Sequence, residues 1–153
     1  MKRWERWSFN SATAVVAVTG FMYFWMKYFV DSPDPFAVVN HPWQAAMLNL
    51  HVLASPVLIL LFGLILNSHI VKKLGASRVP NRKSGLVSLA LFVVMLASGY
   101  LLQIVTGRQT LQTLVALHVG SGAIFTVSYA VHLVLSWRLV RRAAAPARIR
   151  EVA

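Results

Sequence analysis

Residues 111–137 read LQTLVALHVGSGAIFTVSYAVHLVLSW, a stretch without Asp, Glu, Lys or Arg that is long enough to cross a bilayer as one helix. It carries two histidines, His118 and His132, which are fourteen residues apart. In a helix this separation is nearly four turns and about 21 Å, so both imidazoles lie on roughly one face, one towards each side of a hydrocarbon core about 30 Å thick. Ionisable side chains at such depth are costly and usually functional.

A second apolar stretch, residues 45–73, repeats this feature. Its histidines, His51 and His69, are eighteen residues apart, which is five full helical turns and about 27 Å. The separation is four residues longer than in the first stretch, and we expect helix tilt or a kink near Pro56 to absorb part of the difference. Two helices that each carry an upper and a lower histidine are the arrangement expected of two stacked haems. For His69, which lies beside two lysines, an interfacial histidine is the alternative.

The composition is that of a membrane protein. Of the 153 residues, 58% are hydrophobic and 12% are charged, which is too apolar for an ordinary soluble domain. Further apolar runs at 11–30 and 85–105 bring the expected spans to four. A cleaved signal peptide is the alternative for the first run, but that run is longer than usual and no small-x-small site follows it. We therefore predict an all-α, integral membrane four-helix bundle, with one domain at 11–138 between a short segment, 1–10, and a basic tail, 139–153.

The chain has no cysteine. This excludes disulfides, zinc or iron–sulfur sites built on the protein's own thiolates, and the covalent attachment of c-type haem. Any haem in this protein is therefore expected to be held non-covalently.

The net charge of +11 is explained by topology. Three Lys and Arg residues precede the first apolar run, five lie in the segment 72–84, and five follow residue 137, which leaves Lys27 and Arg108 from the total of 15. The positive-inside rule then places both termini in the cytosol. The basic residues are not interleaved with aromatic ones as in single-strand-binding proteins, so no nucleic-acid partner is expected.

This orientation predicts how the histidines pair. The stretches 45–73 and 111–137 both run from outside to inside, so His51 and His118 lie near the outer surface and are expected to ligate an outer haem iron. His69 and His132 lie near the inner surface and are expected to ligate an inner one. Two axial histidines fill both open positions of a haem iron, which favours electron transfer over oxygen chemistry.

Other residues are candidates for the surroundings of a haem. Arg108 is the expected outer partner of the anionic propionates. The inner candidates, for which a role in topology alone is equally good, are Lys72, Arg82 and Arg138. Gly99 and Gly120 have no side chain, and each could make room either for a flat porphyrin or for a neighbouring helix.

The external loop 31–44 contains the sequence Asn-His41-Pro-Trp43. His41 could bind a quinol headgroup, shuttle a proton or contact a partner; the alternative is a loop histidine beside an interfacial tryptophan. Tyr100 is expected at the same surface, where it could face a quinone or a propionate. Together His41, Trp43 and Tyr100 form the candidate quinone or partner site.

Two histidines separated by thirteen residues on one membrane helix, facing a parallel helix with its own pair, resemble the di-haem four-helix core of the cytochrome b superfamily. The similarity covers about residues 11–137. His51 and His69 depart from the family spacing by four residues, and the Pro-Glu-Trp-Tyr quinol motif of the bc-complex subunit is absent.

The resemblance implies a small cytochrome b subunit of a membrane oxidoreductase complex in a bacterial inner membrane. It implies two haem b groups, a quinone pool, and a separately encoded periplasmic redox subunit such as a multihaem cytochrome or a dehydrogenase. Any quinol-oxidising or quinone-reducing activity would belong to that complex.

The sequence shows no bond-forming catalytic constellation, because it offers neither a carboxylate pair in a span nor a nucleophile with a base. The rival hypothesis is a haem-free protein, either a passive membrane anchor or a histidine-based metal or proton carrier. Same-face histidines more than about 20 Å apart cannot share one ion. No Asp or Glu falls in an expected span, and an anchor has no need of four costly histidines.

Overall fold

The computed structural model describes residues 2–32, 34, 36–75 and 82–151, and of residues 74 and 143–151 it describes the backbone alone. Pro33 and Pro35 of the external loop and, among the basic residues counted above, Arg78 and the side chains of Arg148 and Arg150 lie outside the described residues. Throughout the described part, the regular structure is helical and no strand occurs. The predicted all-α fold class is confirmed.

The helices follow one another along the chain with short connections. In chain order they are α1 (Arg3–Tyr28), α2 (Gln44–Ile65), a π-helix (Leu66–Val71), α3 (Lys72–Leu74), α4 (Arg82–Ile104) and α5 (Arg108–Glu151). Four stretches are long and apolar enough to cross a membrane: Arg3–Tyr28, Gln44–Val71, Arg82–Ile104 and Arg108–Arg142. The protein is therefore a multi-pass membrane protein whose helices face lipid.

The chain divides into two compact units, Met1–Ala76 and Ser77–Ala153. Each unit is built on one helical hairpin, with α1 packed against α2 in the first and α4 packed against α5 in the second. We call these the first and the second hairpin. The predicted single domain at 11–138 stays a prediction.

The first hairpin buries large apolar side chains between α1 and α2, among them Phe9, Met26 and Leu58. Thr13 is also buried, and its hydroxyl donates to the carbonyl of Phe9 at 2.8 Å, within its own helix. In lipid the helices gain little from hydrophobic burial, so close packing and such hydrogen bonds hold them together.

The second hairpin packs aromatic rings between α4 and α5. The rings of Phe92 and Phe125 have centroids 5.7 Å apart, and Phe125 stacks on Tyr129 at 5.5 Å. One turn away, the hydroxyls of Ser88 and Ser128 lie 3.1 Å apart across the two helices. The polar contact orients the hairpin because an unpaired hydroxyl is costly in lipid.

The first helix begins earlier than predicted, at Arg3 rather than near residue 11. Its start is a capping box, in which the backbone N–H of Lys2 donates to the Glu5 carboxylate at 2.7 Å. Glu5, which was expected outside every span, therefore lies inside a helix and is buried. An acidic residue is favourable here because it faces the positive end of the helix dipole.

The second helix departs from α geometry at Leu66–Val71, where six residues form a π-helix. Pro56, where a kink was expected as an alternative to helix tilt, lies inside α2, and the kink stays a prediction. π-Helices are rare in proteins, and those that occur are often located at functional sites. Here the π-helix contains His69.

The last helix continues past its predicted end at Trp137 and runs to Glu151. Just beyond the predicted end, the guanidinium of Arg141 lies over the Trp137 ring, 3.7 Å from its centroid. This cation–π contact, one turn along the helix, favours its continuation.

Candidate functional site

His51 lies on α2, half-buried, and its ring is fixed by α1. The Nδ1 atom is 2.9 Å from the carbonyl oxygen of Val16 and 3.5 Å from the hydroxyl of Thr19. A carbonyl oxygen can only accept, so Nδ1 carries the ring proton and donates it. Nε2 is then the lone-pair nitrogen, the form in which a neutral imidazole binds a metal.

Gly20 makes room for the His51 ring. A Cβ at this position would lie 2.9 Å from Cε1 and 3.0 Å from Nδ1 of His51, closer than real side-chain contacts. The absence of a side chain thus lets an imidazole, and not merely a neighbouring helix, approach α1.

The second hairpin contains the same arrangement around His118. Its Nδ1 lies 3.0 Å from the carbonyl oxygen of Met95 and 3.2 Å from the hydroxyl of Ser98. A Cβ on Gly99 would lie 3.0 Å from Cε1 of the ring and 3.3 Å from Nδ1. Gly99 was predicted to admit a porphyrin or a helix, and in this hairpin it admits the histidine. A further contact of Gly99 with a porphyrin stays a prediction.

The two arrangements share one order of residues along the first helix of the hairpin: a carbonyl, a hydroxyl three positions later, then a glycine. Ser98 lies 79 positions after Thr19. Gly99 follows Gly20, and Met95 follows Val16, by the same 79 positions. Both glycines precede an aromatic residue, giving Thr-Gly-Phe and Ser-Gly-Tyr. Thr19 and Ser98 were not predicted from the sequence, although the first and third apolar runs share this hydroxyl–glycine pair.

His132 has a related environment in the second hairpin. Its Nδ1 lies 3.1 Å from the hydroxyl of Ser84, and a Cβ on Gly85 would lie 3.4 Å from its Cε1. A hydroxyl followed by a glycine therefore faces the inner histidine as well. Both histidines of α5 are held by hydroxyl-bearing residues of α4.

The inner end of the first hairpin differs. The position that lies 79 residues before Ser84 is Glu5, so an acid stands in α1 where α4 has this serine. The position that lies as far before His132 as His51 lies before His118 is Ile65, a buried residue. His69 lies four residues later, half-buried in the π-helix. The four-residue excess seen in the sequence is therefore located at this end of α2.

Glu5 makes one contact across the first hairpin at this inner end. The hydroxyl of Ser68, the neighbour of His69, donates to its carboxylate at 3.5 Å. The carboxylate that caps α1 thus also contacts the π-helix. Glu5 is a buried acid, and the residue it contacts there is the sequence neighbour of His69.

His41 is held differently from the membrane histidines. The backbone N–H of Trp43 donates to its Nδ1 at 3.1 Å, and the two rings meet edge to face with centroids 6.3 Å apart. Because Nδ1 accepts here, the ring proton of the neutral form is on Nε2. His41 thus stabilises the turn before α2, and its predicted quinone role would use an N–H donor.

The remaining site candidates are on the second hairpin. Arg108 is the first residue of α5 and is exposed, and Tyr100, which follows Gly99, is exposed by 59%. A Cβ on Gly120 would meet nothing within 4 Å. Gly120 therefore borders open space, in contrast to Gly99.

No group of three or more His, Cys, Asp or Glu residues that could hold a metal ion occurs in the described part of the chain. A metal site made of protein ligands alone is therefore not found there. A haem iron needs only two axial ligands from the protein, since the porphyrin supplies the other four.

The chain matches no family model, no curated protein and no solved structure. Its function is therefore inferred from its own residues.

Proposed function

We propose that this protein is a di-haem b-type cytochrome subunit that carries electrons across the membrane between a quinone pool and a redox partner. The observation that carries the proposal is the anchoring of both outer imidazoles by their Nδ1 atoms. His51 donates to Val16 and His118 donates to Met95, which leaves Nε2 in each ring as the nitrogen able to bind iron.

The residues present fit a non-covalent haem. Histidines that bind metals almost always donate their other ring N–H to a carboxylate, a backbone carbonyl or water, which fixes the tautomer and the ring orientation. His51 and His118 each have a backbone carbonyl near Nδ1, and His132 has the hydroxyl of Ser84 there, which can accept or donate. A histidine that only packs in lipid also needs a hydrogen-bond partner, so the support lies in the recurrence of the same carbonyl, hydroxyl and glycine around His51 and His118.

In this proposal His51 and His118 would hold the outer haem iron, and His69 and His132 would hold the inner one. A haem held by two histidines would supply electron transfer rather than oxygen chemistry. Arg108 would pair with propionates and Gly120, which borders open space, would leave room for the porphyrin, whereas the space at Gly99 holds the His118 ring.

The outer loop provides the proposed contact with a quinone or with a partner. His41 would offer its Nε2–H to a quinone oxygen, with Trp43 and Tyr100 as exposed aromatic neighbours on their own hairpins. The partner would be a periplasmic redox subunit, such as a multihaem cytochrome or a dehydrogenase. The protein would lie in a bacterial inner membrane with both termini in the cytosol, as the positive-inside rule favours.

The test is to replace the outer histidines one at a time and quantify haem per purified chain. His51→Gln and His118→Gln are each expected to remove the outer haem and leave the inner one. His41→Gln, the matched control, is expected to leave both.

The outcomes separate the hypotheses. Unchanged haem content in both outer variants would exclude these residues as ligands. A wild-type protein that binds no haem when haem is supplied would instead favour a passive anchor or a metal or proton carrier.

A further inference from the structure

The hydroxyls of Thr19 and Ser98 occupy equivalent positions in the two hairpins, each within reach of a histidine Nδ1. Each hydroxyl has its shortest contact with a carbonyl of its own helix: Thr19 with Val15 at 2.7 Å and Ser98 with Val94 at 2.8 Å. A hydroxyl has one proton to donate, and in these contacts it is used within the helix. The oxygen lone pairs then remain to accept the imidazole N–H.

Each imidazole N–H therefore faces two acceptors, a backbone carbonyl and a hydroxyl. For His118 the two distances are similar, 3.0 Å to the Met95 carbonyl and 3.2 Å to Ser98. For His51 they are 2.9 Å to the Val16 carbonyl and 3.5 Å to Thr19. The second acceptor is consequently stronger at His118, because hydrogen bonds weaken as they lengthen beyond about 3.2 Å.

A hydroxyl that bonds back to its own helix is common in membrane helices and would not by itself indicate a role. Thr13 does so on α1 at 2.8 Å, one and a half turns before Thr19. Thr19 and Ser98 differ from Thr13 in that a histidine Nδ1 reaches the same oxygen, and in that this happens at the same position of both hairpins.

We propose that Thr19 and Ser98 are positioning residues of the outer haem site, and that their hydroxyls lower its reduction potential by acting on the axial imidazoles. The inference rests on the proposed function. An acceptor beside the ring N–H makes the imidazole more basic, and a more basic ligand stabilises ferric over ferrous iron. Neither residue touches the iron, so each acts through its histidine.

The test is a redox titration of the haems in Ser98→Ala and Thr19→Val. Each is expected to raise the midpoint potential of the outer haem and to leave that of the inner haem unchanged. The rise is expected to be larger for Ser98→Ala, because Ser98 lies closer to its histidine.

The controls come from the chain itself. Ser98→Thr and Thr19→Ser exchange each residue for the one that the other hairpin carries, and both are expected to keep the wild-type potential. Thr13→Val removes a buried hydroxyl that bonds only to its own helix, and it is also expected to leave both potentials unchanged.

Three outcomes complete the test. Haem loss in Ser98→Ala with full haem in Ser98→Thr supports a positioning role, because the threonine variant keeps the hydroxyl and the alanine variant lacks it. Equal haem loss in Thr13→Val would assign the effect to helix packing and overturn the inference. Full haem content with unchanged potentials in both Ser98→Ala and Thr19→Val would also overturn it while leaving the proposed function intact.

Discussion

Gly20 and Gly99 are the positions at which one added carbon atom would displace a histidine. In both cases the space that a Cβ would need is occupied by the imidazole edge, at 2.9 Å for Gly20 and 3.0 Å for Gly99. The neighbour that would have to move is a ring held by two acceptors, so it cannot shift without losing hydrogen bonds. Crowding at these glycines therefore acts on the proposed ligands directly.

We predict that Gly20→Ala and Gly99→Ala each destabilise the haem-free protein by about 1–3 kcal/mol, the usual cost of overpacking. Each is also expected to reduce binding of the outer haem, because the histidine is displaced. Thermal unfolding in detergent and haem quantification provide the two readouts.

Gly63→Ala is the matched control for this prediction. Gly63 lies in α2, and a Cβ there meets nothing within 4 Å. It should be neutral or stabilising, since alanine is the better helix former by about 1 kcal/mol. Wild-type stability and haem content in both Gly20→Ala and Gly99→Ala would contradict the account.

At the residue scale, the sequence identified the histidines but not what holds them. Depth and helical spacing mark His51, His118 and His132, because ionisable groups in an apolar run are conspicuous. The carbonyls of Val16 and Met95 could not be predicted, because every residue has a carbonyl and periodicity does not give the register between two helices. Thr19 and Ser98 were accessible in principle, through the repeated hydroxyl–glycine pair.

At the scale of elements, the four long helices were predicted from apolar length alone, and their ends were less certain. The first helix begins at Arg3 because Glu5 caps it, a local hydrogen bond that a hydropathy pattern does not contain. The π-helix at Leu66–Val71 could not be predicted either, since the same apolar residues are compatible with an α-helix. It contains His69, the proposed ligand of the inner haem.

We predict that inserting one alanine after Leu60, in the regular part of α2, removes the inner haem alone. One residue more in an α-helix rotates everything beyond it by about 100°, so His69 would leave its face. The measurement is haem per chain, expected to fall from two to one with the outer haem's spectrum retained.

The control is one alanine inserted after Val38, an almost fully exposed residue of the outer loop. It is expected to leave both haems in place. If the insertion after Leu60 also left two haems per chain, the assignment of His69 as a ligand would lose its support.

At the scale of the whole molecule, four stretches able to span a membrane imply that both termini lie on one side. The distribution of basic residues predicts that this side is the cytosol. Lys73 and Asp34 are both exposed and are expected on opposite sides of the membrane.

The absence of cysteine makes this orientation directly measurable. We predict that a membrane-impermeant maleimide labels Asp34→Cys in intact right-side-out vesicles, and labels Lys73→Cys only after the membrane is opened. The cysteine-free wild type is the blank. The reverse pattern of labelling would contradict the predicted topology and would exchange the outer and inner haem sites.

The central claim is that this chain holds two haems between its histidines. It is tested most directly by a reduced-minus-oxidised spectrum of the purified protein, produced with ample haem, together with extracted haem per chain. We predict b-type absorbance and two haems per chain. A protein that folds, yet binds no haem under these conditions, would contradict the account.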